Sequence, residues 1–190
     1  LLDELRAQGV QCAVCSNKAD PLCGKIIAHY FGTGRFAAVR GSRPGVPTKP
    51  DPAGLYALMD EIGADRSATL FVGDSDVDIL PGHNAGLPAM GALWGFRGRA
   101  ELTAAGADAL AEVPEYIFTY IKTNLRRKKS SRPSGGSPAL FCGVTLSAQS
   151  DFLDLGGSEL EGPDGLPLQI LHLCDCNRSV GVVTVVLYAA

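Results

Sequence analysis

Short apolar segments alternate with amphipathic segments over the first 124 residues, and this alternation constrains the fold more than any other feature. The apolar segments are the length of buried strands, and the segments between them place apolar residues at helical spacing, as with Leu55, Leu58, Met59 and Ile62. Strands that alternate with helices through short connections form a parallel sheet covered on both faces. The sequence therefore predicts a three-layer, Rossmann-like α/β fold. The predicted strands are 11–15, 36–40, 68–72 and 88–93, and the main predicted helices are 21–30, 51–62, 76–85, 101–105 and 115–124.

Composition and charge argue against some classes of binding partner. Hydrophobic residues make up 46% of the chain, which is enough apolar surface to order a core. The 17 Lys and Arg against 20 Asp and Glu give a net charge of -3, so no overall positive field attracts nucleic acid. The longest apolar run, 180–190, is shorter than the roughly 20 residues that span a bilayer. We expect a cytoplasmic protein without nucleic-acid or membrane partners.

The composition changes near residue 125. A basic run at 126–132 is followed by a Gly-, Ser- and Pro-rich stretch at 133–138, which predicts a linker over 125–138. Beyond it, 139–190 contains two candidate strands, 140–146 and 180–188, separated by Gly- and Pro-rich sequence. This tail carries no chemical motif. The tail is either a small β unit or a continuation that does not fold. Its sequence comes either from the native reading frame, from a shifted reading frame or from a fusion to an unrelated sequence.

Candidate phosphate-binding residues follow the first strand and precede the second long helix. Ser16 and Asn17 can offer a hydroxyl and backbone N–H groups to an anion, although Ser-Asn turns are common. Lys49 lies in a segment stiffened by Pro50 and Pro52 and could neutralise a phosphate. The alternative for Lys49 is an exposed lysine ahead of a helix.

An acidic segment follows the third strand. Asp74, Asp76 and Asp78 place three carboxylates within five residues, and they repel one another unless a cation is present. Mg²⁺ prefers one or two carboxylates with water and a substrate phosphate completing its shell. The alternative is capping of the following helix by Ser75 or Asp76. Because capping needs only one of these acids, we favour a metal site.

Taken together and in this order, these motifs resemble those of the haloacid dehalogenase superfamily, and more narrowly its phosphoglycolate phosphatase-like branch. The resemblance covers about residues 1–122. It implies that Ser16 hydrogen-bonds the transferring phosphoryl group with the Asn17 backbone beside it, and that Lys49 neutralises phosphate charge. It also implies that Asp74 holds Mg²⁺, with Asp78 assisting directly or through Ser16 or Lys49. The stretches that carry the resemblance are 15–18, 40–52, 71–78, 84–87 and 94–97.

The sequence departs from this family in two respects. The first motif, Asp-x-Asp-x-Thr/Val, which supplies the nucleophile, does not occur, and neither does the helical cap that follows it. We expect both upstream of Leu1, so the core would be incomplete at its N-terminus and inactive alone. The second departure is Pro81-Gly82 inside the helix after the acidic segment, which predicts a kinked or short helix.

The expected function is hydrolysis of a small phosphate monoester, phosphoglycolate first, through an aspartyl-phosphate intermediate and with Mg²⁺ as cofactor. The partner would be a small phosphorylated metabolite, and the oligomeric state stays open. The alternatives are a pyrophosphatase or sugar phosphatase of the same superfamily, or a non-catalytic cation-binding or interaction domain. Asp76 occupies a variable position of the family pattern and receives no catalytic role.

Overall fold

The apolar segments of the sequence form one seven-stranded sheet. The structure, a computed structural model, describes residues 1–125 and the strands at 140–146 and 183–189. Four strands lie where the alternation predicts them, with ends shifted by a few residues. A short strand at 109–111 is not predicted, because Ala-Leu-Ala carries no β-branched or aromatic residue. The strands are β1 Val10–Ala19, β2 Ala38–Ser42, β3 Thr69–Gly73, β4 Ala89–Ala92, β5 Ala109–Ala111, β6 Leu140–Leu146 and β7 Val183–Ala189.

The strand order across the sheet is β2-β1-β6-β7-β3-β4-β5. β1 pairs in parallel with β2, and β3, β4 and β5 pair in parallel with one another, which confirms the predicted parallel α/β sheet for this part. The candidate tail strands are both present, within the same sheet and between β1 and β3. β6 is parallel to β1, whereas β7 is antiparallel to β1, β3 and β6. The linker prediction and the rest of the tail lie outside the described residues, so the division into domains stays a prediction.

Among the described residues, six α-helices connect and cover the strands, and a 3-10 turn at Arg66–Ala68 precedes β3. Their buried faces follow the predicted spacing: Leu55, Leu58 and Met59 are all buried, and Ile62 packs at the edge of the core. Burying each such side chain contributes about 1.5–3 kcal/mol. No helix in the described part of the chain is long and apolar enough to cross a membrane. The helices are α1 Leu2–Ala7, α2 Asp20–Phe31, α3 Ala53–Ile62, α4 Asp76–Asn84, α5 Arg99–Ala104 and α6 Glu115–Tyr120, which continues into a π-helical turn at Ile121–Leu125.

The start of α2 differs from the helix-capping pattern. Pro21 suggests Asp20 as an N-cap, but Asp20 is the first residue of α2 and its side chain caps nothing. Its carboxylate instead accepts a hydrogen bond from the backbone N–H of Gly41, a partner that sequence distance conceals. α4, which contains Pro81, is short as expected, at nine residues.

Candidate active site

Three segments bring the predicted site residues to the carboxyl ends of the parallel strands. β1 carries Ser16 and Asn17 near its end, Asp74 directly follows β3, and Lys49 lies in the connection from β2 to α3. In parallel sheets this edge is where ligands bind, because helix N-termini and strand ends converge there. Ser16, Asn17 and Lys49 line one cleft of about 380 Å³, including its open mouth.

Asn17 fixes the backbone of Lys49 with both ends of its side-chain amide. The Asn17 Nδ2 donates to the Lys49 carbonyl oxygen at 3.1 Å, and the Lys49 N–H donates to the Asn17 Oδ1 at 2.9 Å. Two hydrogen bonds in opposite directions set the position and orientation of the segment. The resemblance assigns the Asn17 backbone a place beside phosphate, and the structure adds a positioning contact through its side chain.

Lys49 and Asp78 form a buried ion pair. The Lys49 Nζ lies 2.6 Å from the Asp78 Oδ1, and the two side chains are 5% and 1% exposed. The other oxygen of Asp78 accepts hydrogen bonds from the Ser75 hydroxyl at 2.8 Å and the Asp74 N–H at 3.2 Å. Burial alone would raise the pKa of Asp78, but the Lys49 charge and these hydrogen bonds outweigh it and hold the pKa below its ordinary value. Asp78 thus holds Lys49 in place.

Asp74 is fully buried, and among the described residues only one of its two carboxylate oxygens has a hydrogen-bond partner. Its Oδ2 accepts a hydrogen bond from the Phe96 N–H at 2.8 Å, while its buried Oδ1 has no hydrogen-bond partner among the described residues. Burial, and then the nearby charge of Asp78, raise the pKa of Asp74 to about 6. A carboxylate oxygen left without a partner fits a hard cation, which would both satisfy the oxygen and favour its charged form.

The donor set at Asp74 is compatible with Mg²⁺. In the part of the chain that the structure describes, no group of three or more His, Cys, Asp or Glu side chains could hold a metal ion. Mg²⁺ accepts such a sparse protein contribution, because water and substrate phosphate complete its shell. Asp74 is the residue that fits this role, whereas both oxygens of Asp78 are already engaged. Whether these residues bind metal stays a prediction.

Ser16 presents a hydroxyl from a fixed position. The side chain is 5% exposed, and its Oγ accepts a hydrogen bond from the Lys18 N–H at 3.1 Å. A hydroxyl oxygen that accepts from a backbone N–H can still donate its own proton to a ligand oxygen. Ser16 therefore suits the role that the resemblance implies.

Two functional contacts are missed by reading the sequence alone. Ser75, considered above as a helix cap, makes no side-chain cap and instead binds Asp78. The Phe96 N–H binds Asp74, and Gly95 lets it approach: a Cβ built on Gly95 would lie 2.1 Å from the Asp74 Cβ. The only sequence signal for this contact is a glycine shortly after β4.

Substituting Ala for Gly95 is expected to displace either Asp74 or the 94–97 segment, because the added Cβ overlaps the Asp74 side chain. Overpacking of this kind costs about 1–3 kcal/mol, measurable by urea unfolding. Gly98→Ala is the matched control, since a Cβ there meets nothing within 4 Å. Equal unfolding midpoints for the Gly95 variant and the original chain would contradict the close packing of Gly95 on Asp74.

Comparisons with known proteins point to one family. A family model for haloacid dehalogenase-like hydrolases matches residues 1–86. The chain is 31% identical over 119 residues to a phosphoglycolate phosphatase of Xanthomonas campestris pv. campestris, covering 62% of this chain and 54% of the relative. It is 34% identical over 95 residues to the phosphoglycolate phosphatase of Aquifex aeolicus, covering 50% of this chain and 45% of that relative. The chain thus spans about half the length of these curated relatives.

Solved structures agree with the sequence comparisons. A predicted phosphoglycolate phosphatase from Haemophilus somnus superimposes with a TM-score of 0.57 at 29% identity, covering 62% of this chain and 52% of that one. A candidate phosphoglycolate phosphatase from Lactobacillus delbrueckii superimposes with a TM-score of 0.60 at 28% identity, covering 63% and 50%. With the parallel α/β sheet and the placement of the motif residues, these matches confirm the resemblance. This chain is similar to the haloacid dehalogenase superfamily of hydrolases, and within it to the phosphoglycolate phosphatase-like branch.

Proposed function

We propose that this core is part of a Mg²⁺-dependent phosphatase that acts on a small phosphate monoester, with phosphoglycolate as the leading substrate. One observation carries the proposal: a buried lysine is held by Asp78 beside Asp74, whose Oδ1 has no hydrogen-bond partner among the described residues. Similarity to proteins called phosphoglycolate phosphatase supports the choice of substrate.

Each residue has a role that follows from its contacts. Lys49, fixed by Asn17 and Asp78, neutralises negative charge on the phosphoryl oxygens as charge shifts during transfer. The Ser16 hydroxyl donates a hydrogen bond to one of these oxygens. Asp74 would hold Mg²⁺, with Asp78 assisting through Lys49. When bound, the metal supplies positive charge that stabilises the transferring phosphoryl group.

The proposed reaction needs a carboxylate nucleophile. Among these 190 residues, Asp-x-Asp pairs occur only within the acidic segment 74–78, where two of the three acids are already assigned. We propose that the first Asp of an Asp-x-Asp pair outside this sequence attacks phosphorus, forming an aspartyl-phosphate and breaking the bond to the substrate oxygen, which takes a proton from the second Asp of that pair and leaves as the alcohol. Water then attacks phosphorus, releasing inorganic phosphate and regenerating the Asp. The 190-residue chain alone is expected to bind without turnover.

The test restores a nucleophile and measures phosphate release. A strand ending in Asp-x-Asp-x-Thr is joined ahead of Leu1, and hydrolysis of phosphoglycolate is assayed with Mg²⁺. We expect Lys49→Ala to lower the rate by at least about 100-fold, since it removes a preorganised positive charge. Lys25→Ala, at an exposed lysine on α2, should stay within about twofold of the parent.

Binding to the 190-residue chain separates the catalytic from the non-catalytic alternative. Inorganic phosphate added with Mg²⁺ should raise the thermal midpoint above that with Mg²⁺ alone, because ligands of the folded state stabilise it. Stabilisation by Mg²⁺ without any response to phosphate would favour a cation-binding domain and count against the phosphatase. Circular dichroism of each variant establishes that it is folded.

A further inference from the structure

Two arginines line the cleft beside Ser16 and Lys49, and the proposed chemistry does not use them. Arg40 lies in β2, in register with Cys15 of β1, and therefore alongside the residue that precedes Ser16. Arg43 follows β2 in the connection that leads to Lys49. Both are thus placed by the same two strands that position the predicted phosphate-binding residues.

The Arg43 guanidinium group is anchored through its Nε, and the side chain is partly exposed. Its Nε donates to the Asp20 Oδ1 at 3.1 Å, and among the described residues Asp20 is the only ion-pair partner of the side chain. The side chain is 44% exposed and lines the cleft, and its two terminal nitrogens are not part of the pair with Asp20. Burial would raise the pKa of Asp20, but the Gly41 N–H and Arg43 outweigh it and keep the pKa below its ordinary value. The anchor therefore stays charged.

Arg40 has a buried donor with no partner. Its terminal Nη2 binds the Glu61 carboxylate, and the side chain is 17% exposed. Its Nε is buried and makes no hydrogen bond with any described residue. An unpaired buried donor of this kind disfavours the empty state, and an oxygen of a bound anion would satisfy it.

Gly41 holds the two arginines close to the β1 end. A Cβ on Gly41 would lie 2.5 Å from the Asp20 Cα, so only glycine lets β2 approach the start of α2 this closely. The Gly41 N–H then donates to the same Asp20 oxygen that anchors Arg43.

The cleft lining carries three cations and one acid. The cations are Lys49, Arg40 and Arg43, and the acid is Asp51, whose Oδ1 accepts a hydrogen bond from the Ala53 N–H. In the proposed binding mode a single phosphate engages Lys49 and Ser16, which leaves the remaining donors of the two guanidinium groups unused. Guanidinium groups pair with carboxylate or phosphate oxygens through parallel hydrogen bonds.

We propose that Arg40 and Arg43 bind a second anionic group of the substrate, so that the site selects phosphate monoesters that also carry a carboxylate. This inference rests on the proposed function and refines its substrate class. Phosphoglycolate has both groups, whereas the sugar phosphates of the alternative function have neutral hydroxyls in place of the second charge.

The test compares two ligands that differ only in the second charge. The Kd values of phosphoglycolate and ethyl phosphate, in which a methyl group replaces the carboxylate, are measured by calorimetry on the 190-residue chain with Mg²⁺. We expect phosphoglycolate to bind at least about tenfold more tightly, since a desolvated guanidinium–carboxylate pair contributes more than a methyl contact. In Arg43→Gln this preference should fall to about twofold or less, with the Kd of ethyl phosphate nearly unchanged.

Arg35→Gln is the matched control, because it also removes an arginine paired with an aspartate, Asp3, but in the segment that precedes β2. It should keep the full preference. Equal Kd values for the two ligands in the original chain, or a preference that survives in Arg43→Gln, would overturn the inference while leaving the proposed function intact. If neither ligand nor inorganic phosphate binds, the proposed function itself fails. Arg43→Lys, which keeps the charge but not the paired donors, should retain only part of the preference.

Discussion

Asp74→Asn is expected to stabilise the magnesium-free protein while removing its response to Mg²⁺. Asp74 is buried next to another carboxylate, and its Oδ1 has no partner among the described residues, so its charge opposes folding. Asn has nearly the same shape, keeps an oxygen for the Phe96 N–H and carries no charge. The pKa of about 6, roughly two units above the ordinary value, corresponds to a gain of about 3 kcal/mol at neutral pH. Thermal or urea unfolding measures it.

The pH dependence of this gain has a definite sign. A carboxyl whose pKa is raised on folding contributes stability below its unfolded pKa, near 4, and that stability is lost as the pH rises through about 6. The Asn variant does not titrate at this position. The difference in free energy of unfolding between Asp74→Asn and the original chain should therefore be small near pH 4 and level off above about pH 6. A difference that does not change with pH would exclude the buried charge as its cause.

Mg²⁺ should narrow this difference in stability, and reverse its sign once the Mg²⁺ concentration exceeds roughly 200 times its Kd. At a concentration ten times its Kd, a ligand that binds only the folded state adds about 1.4 kcal/mol to the original chain, and more at higher saturation. The Asn variant should gain almost nothing. Asp76→Asn is the control, because Asp76 lies in the same acidic segment but is exposed. It should keep the full response to Mg²⁺, and an equal loss in both variants would mean that general acidity, not Asp74, binds the cation.

Much of the fold can be predicted from the sequence because its signals are local. Strand and helix segments of 1–124 follow from hydrophobic spacing, and the parallel sheet follows from their alternation. The place of β6 and β7 between β1 and β3 could not be predicted, since strand pairing between distant segments leaves no local pattern. The same holds for Asp20, whose partner Gly41 comes from the next strand.

At the candidate site, the residues can be predicted from the sequence but their contacts cannot. Ser16, Lys49, Asp74 and Asp78 are identifiable because their motifs occur in a recognisable order at the ends of predicted strands and the starts of predicted helices. Their contacts are not: nothing in the spacing indicates that Asp78 binds Lys49 while Asp74 keeps an unpartnered oxygen. Backbone donors such as the Phe96 N–H leave no trace in side-chain chemistry, so sequence reasoning does not find them.

Lys49→Met is expected to lower the free energy of unfolding by about 3–5 kcal/mol, because it leaves the Asp78 carboxylate buried without its cation. Met keeps most of the aliphatic length of Lys, so the loss of stability is due to the unpaired charge and not to a cavity. Chemical denaturation of the single variants and of Lys49→Met combined with Asp78→Asn forms a double-mutant cycle. The double variant should lose about 2 kcal/mol less than the sum of the single losses, since it leaves no unpaired charge.

The exposed pair Arg99–Glu112 provides the control for this cycle. Its side chains meet at 2.7 Å but are 58% and 76% exposed, so Arg99→Met should cost less than about 1 kcal/mol. Acid should also narrow the gap between Lys49→Met and the original chain. Without Lys49, burial raises the pKa of Asp78, and protonation on lowering the pH relieves the unpaired charge. In the original chain the pKa of Asp78 is depressed, so the same acid removes a stabilising charge instead. A gap that widens below neutral pH would show that Asp78 does not carry the cost, and the buried pair would no longer explain how Lys49 is held in the site.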